Sequence, residues 1–324
     1  MKLLIPGGAG YIGSHMVRYA QEQGYEVVVL DDFSTGHEWA VKNCEILRVN
    51  LLDQYKLSQL LKGRHFDGVI HFAAKSLVGE SVNNPNLYYQ NNVVGTLNLV
   101  NEMLNNDVNN LVFSSTAAIF GNPITKKIAE HHPKNPINPY GRSKLMVENI
   151  LQDICLVNDF NAMCLRYFNA AGAHESGEIG EFHEPETHLI PNVLTAAILN
   201  ESVLKVFGDD YPTPDGTCVR DYVHVTDLAR AHQLGLEYMK NNQGFAAFNL
   251  GNGDGFSVLE VIRGCEKITD TKISFQIDER RVGDPAVLVS ENKFAVDHLN
   301  WNPKHNDIGN IIKSAWSWHN RQKC

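Results

Sequence analysis

At 324 residues the chain is long enough for a large core and for about two domains. Hydrophobic residues at 43% and charged residues at 20% are ordinary for a globular protein. The net charge of −9, with no basic run longer than Lys126-Lys127 or Arg280-Arg281, argues against a nucleic-acid partner, because no basic face is there to neutralise phosphates.

The apolar start Met1-Lys2-Leu3-Leu4-Ile5 stops at Pro6-Gly7-Gly8, too short for the apolar region of a signal peptide. No window approaches a transmembrane span, so no membrane association is expected. The six cysteines (44, 155, 164, 218, 265 and 324) show no C-x-x-C spacing and read as free thiols in a reducing, cytoplasmic setting. The 14 histidines are dispersed along the chain, and no metal is expected.

Lys2-Leu3-Leu4-Ile5 reads as a strand running into Gly7-Gly8-Ala9-Gly10-Tyr11-Ile12-Gly13. Ile12, Met16, Val17 and Ala20 follow at helical intervals, and Glu26-Val27-Val28-Val29-Leu30 is the next strand, ending on Asp31-Asp32. A β-α-β unit with glycines at its first turn lets a pyrophosphate approach the N–H groups of a helix N-terminus. Asp31, 18 residues past Gly13, is placed for the adenosine ribose hydroxyls and would repel a 2′-phosphate, so NAD is favoured over NADP.

The alternation continues. Glu45-Ile46-Leu47-Arg48-Val49 reads as a strand, with Asn50-Leu51-Leu52-Asp53 opening a helix that runs through Leu61. Phe66 to Phe72 is a strand leading into the small residues Ala73-Ala74, 85–104 reads as one helix, and Asn110-Leu111-Val112-Phe113 is a strand ending on Ser114-Ser115-Thr116. Ala162-Met163-Cys164-Leu165-Arg166-Tyr167 is a further strand. Strands alternating with helices at this interval predict an α/β fold with a doubly wound parallel sheet, whose ligands sit at the carboxyl ends of the strands. Beyond Asn169 the texture changes: 170–187 and 209–220 read as loops, and a smaller second domain is expected. Tyr222-Val223-His224-Val225 and Ala246-Ala247-Phe248-Asn249-Leu250 read as short strands returning to the first domain.

One stretch carries chemistry. Asn138-Pro139 reads as an N-cap followed by proline at the first helical position, so Tyr140 and Lys144, four apart, share a helix face. A phenol loses its proton near pH ~10 and is a poor base at neutrality. A lysine cation and a cofactor cation beside it would move that pKa toward about 7. With Thr116 at a strand end, a hydroxyl, a phenol and a lysine beside a dinucleotide make a hydride-transfer site.

At these residues the chain resembles the extended short-chain dehydrogenase/reductase family. The resemblance is carried by the 7–15 glycine stretch, Val69-Ile70-His71-Phe72-Ala73-Ala74, Val78-Gly79-Glu80-Ser81-Val82, Phe113-Ser114-Ser115-Thr116-Ala117-Ala118 and Pro139-Tyr140-Gly141-Arg142-Ser143-Lys144. It continues in Leu165-Arg166-Tyr167-Phe168-Asn169, Phe207-Gly208-Asp209-Asp210-Tyr211, Val219-Arg220-Asp221-Tyr222 and Arg280-Arg281-Val282-Gly283-Asp284-Pro285, covering nearly the whole chain. It implies a Rossmann-type sheet with a smaller α+β substrate domain: 1–168, with a return near 222–250, for NAD, and 169–221 with 251–324 for a UDP-sugar.

The resemblance implies interconversion of UDP-glucose and UDP-galactose through a 4-keto intermediate, with NAD tightly bound and regenerated each turnover. Tyr140 would exchange the proton of the sugar 4-hydroxyl, Thr116 hydrogen-bond the 4-oxygen, and Lys144 bind the nicotinamide ribose. Gly7, Gly10, Tyr11, Ile12, Gly13, Asp31, Asn50, Leu51, Phe72, Ala73, Ala74, Asn91, Ser114, Tyr140, Lys144 and Tyr167 are thereby implied at the cofactor. Thr116, Tyr140, Phe168, Asn169, His188, Leu189, Phe207, Arg220, Arg281, Asp284 and Leu288 are implied at the UDP-sugar. Pro6, Asn50, Ala74-Lys75-Ser76 and Phe120 depart from the family's usual residues without touching the proton or hydride path.

Alternatives within the fold are a 4-epimerase of UDP-N-acetylhexosamines or UDP-pentoses, for which the bulk at Leu288 matters, and a 4,6-dehydratase. The dehydratases carry an Asp-Glu pair directly after the threonine, where this chain has Ala117-Ala118. From a different class comes a non-catalytic NAD-binding regulator, which would be expected to lack Tyr140 or Lys144. A homodimer through 85–104 and 140–156 is implied by the resemblance. Leu87, Val94 and Leu97 with Leu145, Ile150 and Ile154 would fit either that contact or ordinary sheet packing.

Overall fold

The computed structural model of the chain describes residues 1–199, 203–281 and 284–321. Val282, Gly283 and Cys324 lie outside the described residues. In chain order the first elements are β1 (Lys2–Pro6), α1 (Tyr11–Glu22), β2 (Glu26–Asp31), β3 (Glu45–Arg48), α2 (Gln54–Leu61), β4 (Gly68–His71), α3 (Val78–Asn83) and α4 (Pro85–Tyr88). Next come α5 (Gly95–Asn105), β5 (Asn110–Thr116), α6 (Pro139–Val157), β6 (Asn161–Tyr167), β7 (Asn169–Ala171), α7 (Leu189–Leu199), β8 (Leu204–Phe207), β9 (Val219–Arg220) and β10 (Tyr222–His224). The chain ends through α8 (Val225–Met239), β11 (Phe245–Leu250), β12 (Phe256–Ser257), α9 (Val258–Thr269), β13 (Phe275–Asp278), β14 (Val287–Leu288), α10 (Lys293–Leu299) and α11 (Ile308–Arg321).

Seven strands form one parallel sheet in the order β11-β6-β5-β4-β1-β2-β3. Its strands are near-continuous apolar runs because helices cover both faces. Successive side chains point to opposite faces. Leu3, Ile5, Val29, Ile70, Val112 and Met163 therefore pack in the core under α1 and α8, and Leu4, Val28, Leu30, Val69, Leu111 and Phe113 in the core under α2, α5 and α6. The chain runs outward from β1 to β3, then returns to the other side of β1 as β4. That reversal opens a crevice beyond the carboxyl ends of β1 and β4.

Pro6 ends β1, and the next residue, Gly7, donates to Leu30 O at 2.8 Å. The Pro6 carbonyl accepts from Phe72 N and Ala73 N, tying the two strand ends together. Short pairings build the other bank: β7 with β10, β8 with β13, and β9 between β12 and β14. They surround a separate core of Ile190, Val193, Leu194, Val206, Ile262, Ile311 and Ile312.

Five segments differ from the sequence reading, one of them Tyr222–His224, which pairs with β7 outside the seven-stranded sheet instead of returning to it. The helix expected from Asn50 begins at Gln54, because the Asn50 side chain accepts from Leu52 N (2.8 Å) in a tight turn and Asp53 caps the helix through Lys56 N (3.1 Å). The single helix expected over 85–104 is α4 and α5 joined by a wide π-type turn, Tyr89–Val94. There the Thr96 hydroxyl donates to Asn92 O (2.6 Å) and competes with the helical ladder. The 170–187 loop opens on the second and third residues of β7, and the 209–220 loop closes on β9, each two- or three-residue pairing too short to show a period.

Candidate active site

The dinucleotide bank starts at Gly7. Its φ is +77°, and a Cβ there would lie 2.3 Å from Ala73 N, so a side chain is excluded by both conformation and space. A Cβ at Gly13 would fall 2.1 Å from Gly7 O. Gly10 is different: a Cβ there would meet only Gly7 O, at 3.5 Å. Internal packing therefore does not require glycine at 10, whereas a ligand approaching the start of α1 does. No side chain caps α1, and the N–H groups of Tyr11, Ile12 and Gly13 have no acceptor within the helix. Asp31, nearly buried at the end of β2, accepts from Ala9 N (3.0 Å) and Phe33 N (2.8 Å), so it shapes the glycine turn. Burial pushes its carboxyl up, and those N–H groups oppose the shift. Each oxygen keeps a lone pair for a ribose hydroxyl. These residues fit a dinucleotide.

Around this turn the other expected cofactor residues take varied roles. The Tyr11 hydroxyl donates to Gly172 O (2.6 Å), joining the turn to the loop after β7. Asn50 donates to Asp32 (2.5 Å), Leu51 is buried against Gly95, and Phe72 and Ala73 follow β4 with Ala74 half-buried beside them. Asn91 is half-buried in the π-type turn and donates to Asn92 (3.0 Å). The Ser114 and Tyr167 hydroxyls are in contact across β5 and β6.

α6 carries the chemistry. Asn138 caps it by accepting from Gly141 N (2.9 Å), and Pro139 begins it. A Cβ on Gly141 would lie 2.5 Å from Ala118 O, so glycine there lets the helix press against the turn after β5 and bring Tyr140 to Thr116. Thr116 Oγ1 accepts from Ala118 N (3.1 Å) and lies near the Tyr140 phenol. Lys144, one turn on, donates to Ser114 O (2.7 Å) over the Phe113 ring. Another turn on, Glu148 accepts from Arg166 in two parallel bonds (2.9 and 2.7 Å) and from Ser115 (2.6 Å). Tyr140, Lys144 and Glu148 thus form one stripe of α6 facing the sheet.

The sequence reading expected Lys144 to lower the Tyr140 pKa. Among the protein's own groups, burial instead raises the phenol, partly opposed by Thr116, and burial lowers Lys144 to about 7. A lysine this deep is close to losing its own proton, and the protein alone favours the neutral phenol. Lys144 and burial together hold His71 neutral at about 3, burial being the larger cause.

The sugar-nucleotide bank is assembled from distant segments. Asn169 N donates to Asp221 O (3.0 Å), and Asn169 stands opposite Tyr222 in the β7–β10 pairing. Arg220 donates to Asp284 (2.5 Å), while the Arg281 guanidinium lies 4.0 Å over the Phe207 ring. Phe168 and Leu288 pack against Ala117, Ile119 and Phe120, beside the Thr116 turn. Leu189 begins α7, immediately after His188. His188 Nδ1 is 2.5 Å from Glu181, and His183 lies 3.5 Å from Glu181 and 3.3 Å from Glu186. These histidines are not dispersed, as the sequence reading had it; Glu181, His183, Glu186 and His188 converge.

Sequence reasoning also passed over Asn92, Glu148 and Arg166. Asn92 brackets Lys75, accepting from its N (2.8 Å) and donating to its O (3.0 Å), and donates to Ser143 on α6 (3.0 Å). For Glu148, a charge within the mostly apolar run Leu145 to Leu151 was the available signal; Asn92 follows Gln90 and Asn91 and gave none.

The model of the NAD dependent epimerase/dehydratase family matches residues 3–251. The chain belongs to this family. It is 47% identical over 319 residues to the UDP-glucose 4-epimerase of Halalkalibacterium halodurans, covering 98% of this chain and 96% of that protein. It superposes with a TM-score of 0.93 on the UDP-glucose 4-epimerase from Brucella ovis in complex with NAD, at 44% identity and 97% of each chain. The UDP-Glc/GlcNAc 4-epimerase of Campylobacter jejuni is similar at a TM-score of 0.86 and 42% identity, covering 100% of this chain and 99% of that one.

Proposed function

We propose that the chain is an isomerase that interconverts UDP-glucose and UDP-galactose with NAD by oxidation and re-reduction at C4. The observation that carries this reading is Tyr140 one helical turn before the buried Lys144, beside Thr116 at the strand ends that face an uncapped helix N-terminus. When bound, NAD takes up and returns the hydride at C4. Tyr140 accepts the proton of the sugar 4-hydroxyl and later restores it, Thr116 holds the 4-oxygen, and Lys144 orients the nicotinamide ribose. Because the protein's own groups favour a neutral phenol, the cationic form of the cofactor is the partner that favours the phenolate.

The division of labour follows the two banks. Residues 1–168 with the return near 222–250 hold NAD; 169–221 and 251–324 hold the UDP-sugar. Arg220 and Arg281 pair with the diphosphate, their planar forks suited to its oxygens. Asn169, Phe168, His188, Leu189, Phe207, Asp284 and Leu288 surround the nucleotide and sugar. Binding energy taken from the uridine and diphosphate leaves the hexose free to turn over between the two hydride steps. NAD remains bound throughout. The partly exposed Val94 and Met146 on neighbouring helices support a homodimer, and the five free cysteines among the described residues support a cytoplasmic setting.

A second reading has support: the similarity to an epimerase that accepts both UDP-Glc and UDP-GlcNAc, together with leucine rather than a bulkier residue at 288. Incubation of the purified protein with UDP-galactose, with no added cofactor, should yield UDP-glucose. Parallel UDP-GalNAc turnover would extend the substrate range. No isomerisation of either, even with NAD supplied, would overturn the assignment.

A further inference from the structure

The strongest unassigned feature is the cluster in the loop before α7. The donor atoms of Glu181, His183, Glu186 and His188 all lie within 4.8 Å of one another. His183 Nδ1 lies 3.5 Å from Glu181 Oε1 and 3.3 Å from Glu186 Oε2, and His188 Nδ1 lies 3.6 Å from Glu186 Oε1. Four nitrogen and oxygen donors around a tetrahedral zinc ion, each at about 2.0–2.1 Å, lie about 3.3–3.4 Å apart. The His188–Glu181 contact, at 2.5 Å, must open, and any separation near the 4.8 Å limit must close.

Charge points the same way. Glu181 is almost fully buried, and Glu186 is mostly so. Among the described residues, no lysine or arginine forms an ion pair with either; their partners are the two imidazoles. A divalent cation would neutralise both carboxylates and leave the imidazoles neutral.

The cage is also braced. Glu186 accepts from Thr187 N (2.7 Å) and His188 N (2.8 Å), and Trp318 Nε1 donates to Glu181 O (3.0 Å). Second-sphere bonds of this kind orient metal ligands. The His183 ring meets the Tyr11 ring edge-on at 6.2 Å, which places the cluster between the glycine turn and the sugar-nucleotide bank.

We propose that Glu181, His183, Glu186 and His188 bind one divalent transition cation of the zinc class in a closed, four-coordinate site. Two imidazoles and two carboxylates suit zinc. With Nδ1 of His188 on the metal, its proton is confined to Nε2, on a side chain that is half exposed. His188 then presents a fixed hydrogen-bond donor to the sugar nucleotide; this last role rests on the proposed function.

The test uses the full chain with any affinity tag removed. Its zinc content is measured by mass spectrometry of the metal, and Zn²⁺ and Co²⁺ are titrated into protein stripped by a chelator. About one equivalent per chain is expected, with the visible absorption of tetrahedral Co²⁺ and a rise in Tm on adding Zn²⁺. His183→Ala should lower zinc affinity at least about tenfold while bound NAD per chain stays unchanged. If that variant fails to fold, Glu186→Gln, which keeps the volume and removes the charge, serves instead. No uptake of micromolar Zn²⁺ by the wild type, or unchanged binding in a folded variant, would overturn the proposal. Turnover of UDP-galactose by zinc-free protein that cannot take up zinc sinks this inference alone; a zinc-loaded protein without turnover sinks the epimerase reading alone.

Discussion

The two banks of the crevice are built differently. On the cofactor side the central positions hang from one continuous parallel sheet: Gly7 against Ala73, Asp31 against Ala9, Lys144 against Ser114. On the sugar-nucleotide side the positions come from pairings as short as the two residues of β9 and β14, and from a charged loop. The first arrangement fixes atoms that must meet within hydrogen-bond distance. The second gathers groups that recognise a diphosphate by charge and tolerate more play. Chemistry is anchored to the sheet, and recognition is hung from its margin.

That contrast is broken most directly on α6. Tyr140→Phe should lower kcat by about 100- to 10,000-fold with little change in Tm, as measured by UDP-galactose turnover and thermal unfolding. Near-normal turnover would move the proton transfer elsewhere. Glu148→Ala leaves Arg166 buried without its partner and should destabilise the protein by about 3–5 kcal/mol in urea unfolding. A loss below about 1 kcal/mol would show that the anchoring of α6 is weaker than its geometry suggests.

Smaller effects sharpen it. Asp31→Asn removes the charge but keeps the shape, and retained NAD should fall about tenfold to a hundredfold, with discrimination against NADP relaxed. Unchanged retention would confine Asp31 to shaping the turn. On the other bank, Leu288→Tyr should depress UDP-GalNAc turnover about tenfold more than UDP-galactose turnover; equal losses would remove Leu288 from specificity.

A pH effect follows from Lys144. Its folded pKa of about 7 lies below its unfolded value, so between those values the unfolded chain binds more protons. The penalty for the buried ammonium is therefore full below about pH 7 and relieved as pH rises toward 10. Nucleotide-free protein should gain stability with pH across that window relative to Lys144→Met, read from urea midpoints. Parallel curves for the two proteins would refute the shift.

How much could be read from the sequence tracks the same division. The glycine turn, Asp31 and the Asn138-Pro139-Tyr140 helix start are local, each specified by residues a few positions apart with a known backbone consequence. Their positions in the sheet follow from the alternation of elements. By contrast, nothing local says that Glu148 will pair with Arg166, or that Arg220 will meet Asp284, because these partners are joined by the fold and not by spacing. The 181–188 loop is the reverse case. Its four side chains are close in sequence, with His183 and His188 at an interval found in zinc sites, but only the turn of the backbone brings the two carboxylates to them. The π-type turn escaped for another reason: a hydroxyl contesting one carbonyl leaves the apolar period of the surrounding helix intact.

The stripe of Tyr140, Lys144 and Glu148 has a further consequence. Arg166 lies on β6, in the body of the sheet, so α6 cannot fray inward or slip by a turn without exposing a buried guanidinium. The amide protons around Glu148 should exchange with solvent only when the whole cooperative unit opens, at rates among the slowest in the molecule. Warming would then produce no population of folded molecules with a displaced phenol, and heat inactivation and unfolding of the sheet would trace a single curve.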